Sequence, residues 1–202
     1  MLLHPWPQDE RVWERQLEVL PDALTPRLYG RGASIDEWAS QILAEVGGEL
    51  VLVGASMGGY VALSMTRQAP ERVRGIALVG SRADDDTAER RAFRDELIEK
   101  LRSGWRHPDS VASVDNDELI DAQRAIQTRP PAEDVVARFP HPLLVIVGDR
   151  DEVVPVDYAR SVAELAPRGR LAVVADAGHL VALDRPGEVN ALLLDFVEEC
   201  RS

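Results

Sequence analysis

The residues best suited to chemistry in this chain lie in Gly54-Ala55-Ser56-Met57-Gly58-Gly59. They follow an apolar β-type run, Glu49–Val53, and precede a helix-compatible run, Tyr60–Ala69, so G-x-S-x-G falls at a strand-to-helix turn. Such a turn forces its apex residue into a strained backbone conformation, and glycines two before and two after keep it free of Cβ clashes. Ser56 is expected to project its hydroxyl outward. The helix N-terminus behind it offers positive potential and free N–H groups to an oxyanion. A phosphate loop would need G-x-x-x-x-G-K-[ST], and the chain's one lysine, Lys100, is remote in sequence.

A serine hydroxyl is a poor nucleophile until a base takes its proton, and that base needs an acid to orient it. Of the four histidines, His179 lies in Asp176-Ala177-Gly178-His179-Leu180, on a loop between the β-type run Arg170–Val174 and the last helix. That loop opens at the same C-terminal sheet edge as Ser56, where ligand sites of α/β sheets form. His4, His107 and His141 read as loop or packing residues. Three carboxylates compete for the acid in Gly148-Asp149-Arg150-Asp151-Glu152-Val153-Val154-Pro155. Asp149 directly follows a strand-ending glycine and suits turn hydrogen bonds; Asp151 sits further into the loop, where it reaches toward His179. Asp151 is favoured and Asp149 is the alternative. Asp84, Asp85 and Asp86 could also supply an acid, but three in a row read better as a helix-start cluster.

Positioning these groups requires short apolar strands alternating with amphipathic helices, which is an α/β pattern with a parallel sheet. Strands are predicted at Met1–Leu3, Leu24–Tyr29, Leu50–Val53, Val73–Val79, Leu143–Val147 and Arg170–Val174. Most are apolar without alternation, as expected of strands covered on both faces. Trp13, Leu17 and Leu20 share one helix face, as do Val189, Leu192, Leu193 and Phe196. Ser34 and Glu37 form a capping box that places a helix over about Ile35–Val46. Between Ser81 and Pro142 the rhythm breaks, and a helical insertion is predicted there, with Phe93, Leu97, Ile98 and Leu101 on one amphipathic helix and Asp117–Gln127 on a weaker second. The acids between Asp109 and Asp121 read as a solvated face.

The 202 residues suit one domain, and a charge of −12 disfavours nucleic acid and anionic membranes as partners. No apolar run approaches membrane-spanning length and the opening residues do not form an export signal, so a cytoplasmic location is expected. A single cysteine, Cys200, permits no internal disulfide or thiolate metal cage and reads as an exposed incidental thiol. Neither a metal nor a cofactor is called for.

In the order Ser56, Asp151, His179 the chain resembles the α/β-hydrolase superfamily, over almost its full length. Leu3-His4-Pro5-Trp6 stands where that family has its His-Gly-x oxyanion loop, Gly30-Arg31-Gly32-Ala33-Ser34 matches its Gly-x-Gly-x-Ser, the acid loop resembles G-x-x-D-x-x-x-P, and Ala177-Gly178-His179 resembles the G-H base motif. The acid-loop pattern puts Asp151 in the acid position. The resemblance, closest to small esterase and lactonase-like members with a short helical lid, implies one domain over 1–202 with a lid insertion at about 81–142. It implies a parallel sheet of about six strands in the family's order 4-3-5-6-7-8, lacking the first two, with the Leu24–Tyr29 strand at an edge that tolerates Pro26. The backbone N–H groups of Trp6 and Met57 would form the oxyanion hole, and Trp6, Met57, Val153 and Leu180 would lie near the acyl group.

Two residues depart from the family pattern: Pro5 replaces the glycine of the oxyanion loop, and Arg27 replaces the acid before Gly-x-Gly. The expected activity is a cofactor-free serine carboxylesterase acting on small neutral esters, as a monomer or homodimer. Perhydrolase or lactonase chemistry would use the same triad, and a non-catalytic protein binding a ligand or partner is the reading from a different class. Arg82, just past a strand end, is the one basic residue near the elbow that could meet a substrate carboxylate, though an exposed surface arginine is the simpler reading.

Overall fold

The computed structural model describes residues 1–201. Five parallel strands form one sheet in the order β1 to β5: β1 (Leu2–Leu3), β2 (Leu50–Ala55), β3 (Val73–Val79), β4 (Leu143–Gly148) and β5 (Gly169–Val174). Their apolar character follows from the two cores they separate. Along β4, Leu143, Val145 and Val147 join one core while Leu144 and Ile146 join the other, so neither face tolerates a polar residue.

The first core lies under α2 (Ile35–Glu45), α3 (Met57–Gln68) and α7 (Val156–Leu165), and continues into the insertion helices α4 (Ala88–Arg102), α5 (Asn116–Gln127) and α6 (Glu133–Arg138). The opposite face is covered by the short α1 (Glu14–Leu17), α8 (Val181–Asp184) and the terminal α9 (Pro186–Arg201). Cys200 packs into this second core beside Phe196 and Gly75, so it is a half-buried packing residue and not the exposed thiol expected from its position.

The sheet has five strands where about six were expected, and Leu24–Tyr29 is the segment that differs. It runs beside β1 through one backbone bond, Leu2 N–H to Leu24 O (2.8 Å). Pro26 has no N–H to give, and the N–H of Leu28 donates instead to Nε2 of His4 (3.0 Å), whose Nδ1–H is turned to the Pro5 carbonyl (3.1 Å). A side chain therefore takes the place of a ladder rung, and His4 is wholly buried in doing so.

The insertion holds its predicted helices and a third, α6. Ser34 caps α2 through Glu37 N (3.2 Å), but the Glu37 carboxylate reaches back to Ala33 N (2.7 Å), one residue beyond the N-cap N–H that the reciprocal box would use. Three of the acids read as a solvated face have close partners: Asp115 caps α5 in a full capping box, Glu118 pairs with Arg27 (2.8 Å) and Asp121 with Arg124 (3.1 Å). Arg27 thereby braces the Leu24–Tyr29 segment against the insertion.

Candidate active site

Ser56 occupies the turn between β2 and α3 with φ 46° and ψ −111°, a conformation that L residues avoid unless their surroundings enforce it. The surroundings here are backbone. Ser56 N–H donates to Val79 O (2.9 Å) and Ser56 O accepts from Gly59 N (2.9 Å), so both neighbouring strand and following helix fix the residue. The flanking glycines have no room for a side chain: a Cβ on Gly54 would lie 2.5 Å from the Gly58 backbone, and one on Gly58 would lie 2.1 Å from the carbonyl oxygen of Leu3. Sequence reasoning missed Ser81. Its buried hydroxyl donates to Ser56 O (2.8 Å), and it fits because Gly59 lacks the Cβ that would stand 2.2 Å from that oxygen.

His179, on the loop between β5 and α8, places Nε2 3.0 Å from Ser56 Oγ. Its Nδ1 lies 3.1 and 3.0 Å from the two carboxylate oxygens of Asp151. A carboxylate only accepts, so Nδ1 carries the proton and Nε2 is left to accept from the serine hydroxyl. The Asp151 carboxylate is wholly buried and is held by two further donors, Val153 N (2.8 Å) and Val154 N (2.9 Å), both to Oδ1. Gly80, at φ +54°, makes space for this pair, since a Cβ there would meet His179 O at 2.9 Å and Asp151 Oδ2 at 3.3 Å. Asp149 binds elsewhere: its Oδ1 accepts from Ala177 N (3.2 Å), a turn contact that ties the acid loop to the histidine loop.

Ser56 and His179 open into a cleft of about 420 Å³ between the C-terminal sheet edge and the insertion, while Asp151 lies buried behind His179. Trp6, Val153 and Leu180 line it, whereas the Met57 side chain, expected near the acyl group, is fully buried in the core and does not line the cleft. Met57 opens α3, so its N–H is among those that helix geometry leaves without an intrahelical partner. The turn after Pro5 is closed by Gln8 N to Pro5 O (3.1 Å), which does not use the Trp6 N–H.

The remaining cleft wall comes from residues that sequence analysis read as packing or did not single out. Phe93 and Leu97 of α4 and Ile126 of α5 supply apolar surface. His107 also faces the cleft, edge-on to Trp6 (ring centroids 4.8 Å) and Trp105 (5.4 Å), and burial lowers its affinity for a proton. Trp105 and His107 lie two apart in an otherwise polar loop, which was the available signal. Arg82 is not free for a ligand: it pairs with Asp84 (2.8 Å) and stacks on Tyr158 at 3.6 Å. Asp84 and Asp86 do not open a helix as a charge cluster; Thr87 caps α4, and the two carboxylates take up arginines. No group of side chains able to hold a metal ion occurs among the described residues.

Residues 1–192 match the sequence model of the alpha/beta hydrolase family. Over 98% of the chain and 97% of the relative, the sequence is 26% identical to a pimeloyl-[acyl-carrier protein] methyl ester esterase of Aromatoleum aromaticum. A 2-hydroxymuconate semialdehyde hydrolase of a Pseudomonas species is 26% identical over 73% of the chain, and the match spans 62% of that longer protein. The solved structure of a thermophilic esterase from Thermogutta terrifontis superposes with a TM-score of 0.88 at 25% identity, covering 100% of this chain and 89% of the other. With its family model matched nearly end to end and its parallel sheet and helical layers shared with these proteins, the chain belongs to the alpha/beta hydrolase family.

Proposed function

We propose that the protein is a serine hydrolase that cleaves small carboxylic esters through an acyl-enzyme on Ser56. The observation that carries this reading is the unbroken relay from Ser56 Oγ through His179 to Asp151, with a heavy-atom separation of 3.0 Å at the serine and 3.0 to 3.1 Å at the acid. Ser56 Oγ attacks the ester carbonyl carbon as Nε2 of His179 takes its proton, and Asp151 holds the imidazolium that results. The carbonyl oxygen becomes an oxyanion at the N-terminus of α3, where the N–H groups of Met57 and Trp6 are the proposed donors, each worth roughly 3 kcal/mol at the transition state. His179 returns the proton to the departing alcohol. Water then enters and adds to the acyl carbon as it loses a proton to the same nitrogen; the bond to Ser56 Oγ breaks, His179 gives that proton to Oγ, and the acid is released. The esterases among its relatives support this assignment.

The test is hydrolysis of p-nitrophenyl esters from acetate to octanoate by the parent, Ser56→Ala and Asp151→Asn. Turnover is expected in the parent and none above background in Ser56→Ala. Asp151→Asn is expected to lose about 10⁴-fold in kcat, because an amide favours the wrong histidine tautomer. Retention of full activity in folded Ser56→Ala would overturn the reading; a folded parent that labels with a serine phosphonate at no site would point to a binding protein.

A further inference from the structure

A compact cluster of charges joins the insertion to the body of the molecule. Two carboxylates, Asp84 and Asp86, pair with four guanidinium groups, those of Arg82, Arg90, Arg94 and Arg129. The carboxylate of Asp86 is wholly buried, and the arginine side chains are 4 to 27% exposed. The cluster thus holds two positive charges more than its carboxylates neutralise. Unpaired charge taken out of water is costly and calls for a compensating partner. Arg82 and Arg129 find part of that compensation on aromatic faces, at 3.6 Å from Tyr158 and 4.0 Å from Tyr60. Arg94 has no such ring, and it lines the cleft.

Arg94 is also fixed in place. Its Nε and Nη2 donate to Asp86, and its Nη1 donates to Oε1 of Gln123 (2.7 Å), which leaves one N–H on each terminal nitrogen. Because a guanidinium only donates, the Gln123 amide must present its oxygen to Arg94 and its NH₂ group to the other side. Gln123 is 2% exposed, lines the same cleft, and its Nε2 donates to nothing among the described residues. The result is a preoriented set of donors on the wall of the cleft that Ser56 lines, carrying positive charge in a molecule of net charge −12. Leu97 and Ile126 add apolar surface to the same wall, and Glu96, Lys100 and Asp109 add further charges.

We infer that Arg94 and Gln123 form a carboxylate subsite, and that the substrate class is the half-ester of a dicarboxylic acid, held with its free carboxylate on these donors and its ester carbonyl at Ser56. The planar fork of the guanidinium with the neighbouring amide suits the two oxygens of a carboxylate. This replaces the small neutral ester expected from sequence with an anionic one, and it rests on the esterase reading for its chemistry. Binding of the dicarboxylate itself does not.

The experiment compares kcat/KM for monomethyl esters of succinate, glutarate and adipate with the methyl alkanoates of matching length. For the best-fitting length the half-ester is expected to be favoured by about tenfold or more, the gain of one charge-assisted hydrogen-bonded pair. That ratio is expected to collapse toward unity in Arg94→Met, mainly through KM, and to recover in part in Arg94→Lys. Gln123→Leu, which leaves the Arg94–Asp86 pair intact, should lower the same ratio and serves if Arg94→Met does not fold. Acetoxy acids, with the carboxylate on the alcohol side, must not share the preference; if they alone show it, the inference is overturned. Equal rates for half-ester and neutral isostere, or a ratio unchanged in the folded variants, overturn it as well. Calorimetric titration of Ser56→Ala with glutarate and adipate separates the two claims. Binding that is lost with Arg94→Met upholds the subsite even if no ester is cleaved, and ester cleavage without binding or selectivity leaves the hydrolase and removes the subsite.

Discussion

His4 and His179 are one kind of side chain used in opposite ways. His179 keeps an edge in the cleft and both nitrogens in the relay, whereas His4 is sealed between β1 and the Leu24–Tyr29 segment as a neutral staple. Burial pushes the His4 imidazole down from 6.5 to about 4. Above pH 6.5 it is neutral in both folded and unfolded chains; between 6.5 and about 4 only the unfolded chain binds the proton, so stability rises with pH across that window. The loss on acidification approaches about 3 kcal/mol. Asp84, which arginine hydrogen bonds hold at about 2 against the desolvation that raises it, adds its own loss only at lower pH. Melting temperatures from pH 7.5 to 4 test this. The gap between parent and His4→Gln is expected to narrow as pH falls, and an equal acid slope in both proteins would remove His4 from the account.

Among the elements, the joint between β1 and α3 leaves the least freedom. Gly58 packs its α-carbon against the Leu3 carbonyl, and an added methyl could be relieved only by moving a strand or a helix. Gly58→Ala is therefore expected to cost about 1–3 kcal/mol in urea denaturation and to displace Ser56. Gly47→Ala, where nothing lies within 4 Å of the new Cβ, should be close to neutral by the same measurement. The buried strands were legible in sequence because two cores demand apolar residues in unbroken runs. The Leu24–Tyr29 segment was not, since its exclusion from the ladder depends on a histidine more than twenty residues away that captures the Leu28 N–H. The insertion helices were legible as amphipathic helices, but periodicity reports which face is apolar and not whether that face meets the core or a cleft. Phe93, at 64% exposed, belongs to the second case.

For the whole molecule, Ser56, Asp151 and His179 could be brought together from sequence because each follows a strand of one parallel sheet, and that topology delivers all three loops to one edge. The cleft's far wall obeys no such rule. Arg94, Asp86 and Gln123 lie in separate segments of the insertion, and the net charge of −12 averages away the local excess of positive charge. Global packing also governs the lone thiol. Cys200 sits 2.2 Å from where a Cβ of Gly75 would stand, and burial pushes its pKa up to about 11, so a disulfide reagent at neutral pH is expected to react with the half-buried thiol more slowly in the native protein than in the unfolded chain. Equal rates for native and unfolded protein would show that the packing gives the thiol no protection.

The rarity of lysine gives the molecule an unplanned address. Lys100 is the only lysine in the sequence, it is exposed, and it stands on α4 at the wall of the cleft. The amino group of Met1 is half-buried and donates to the Val51 carbonyl (2.8 Å), which restricts a reagent's access to it, although burial also lowers its affinity for a proton. An amine-directed fluorophore attached at Lys100 would report from the mouth of the cleft, and a support coupled through it would hold the molecule with that mouth turned toward the surface.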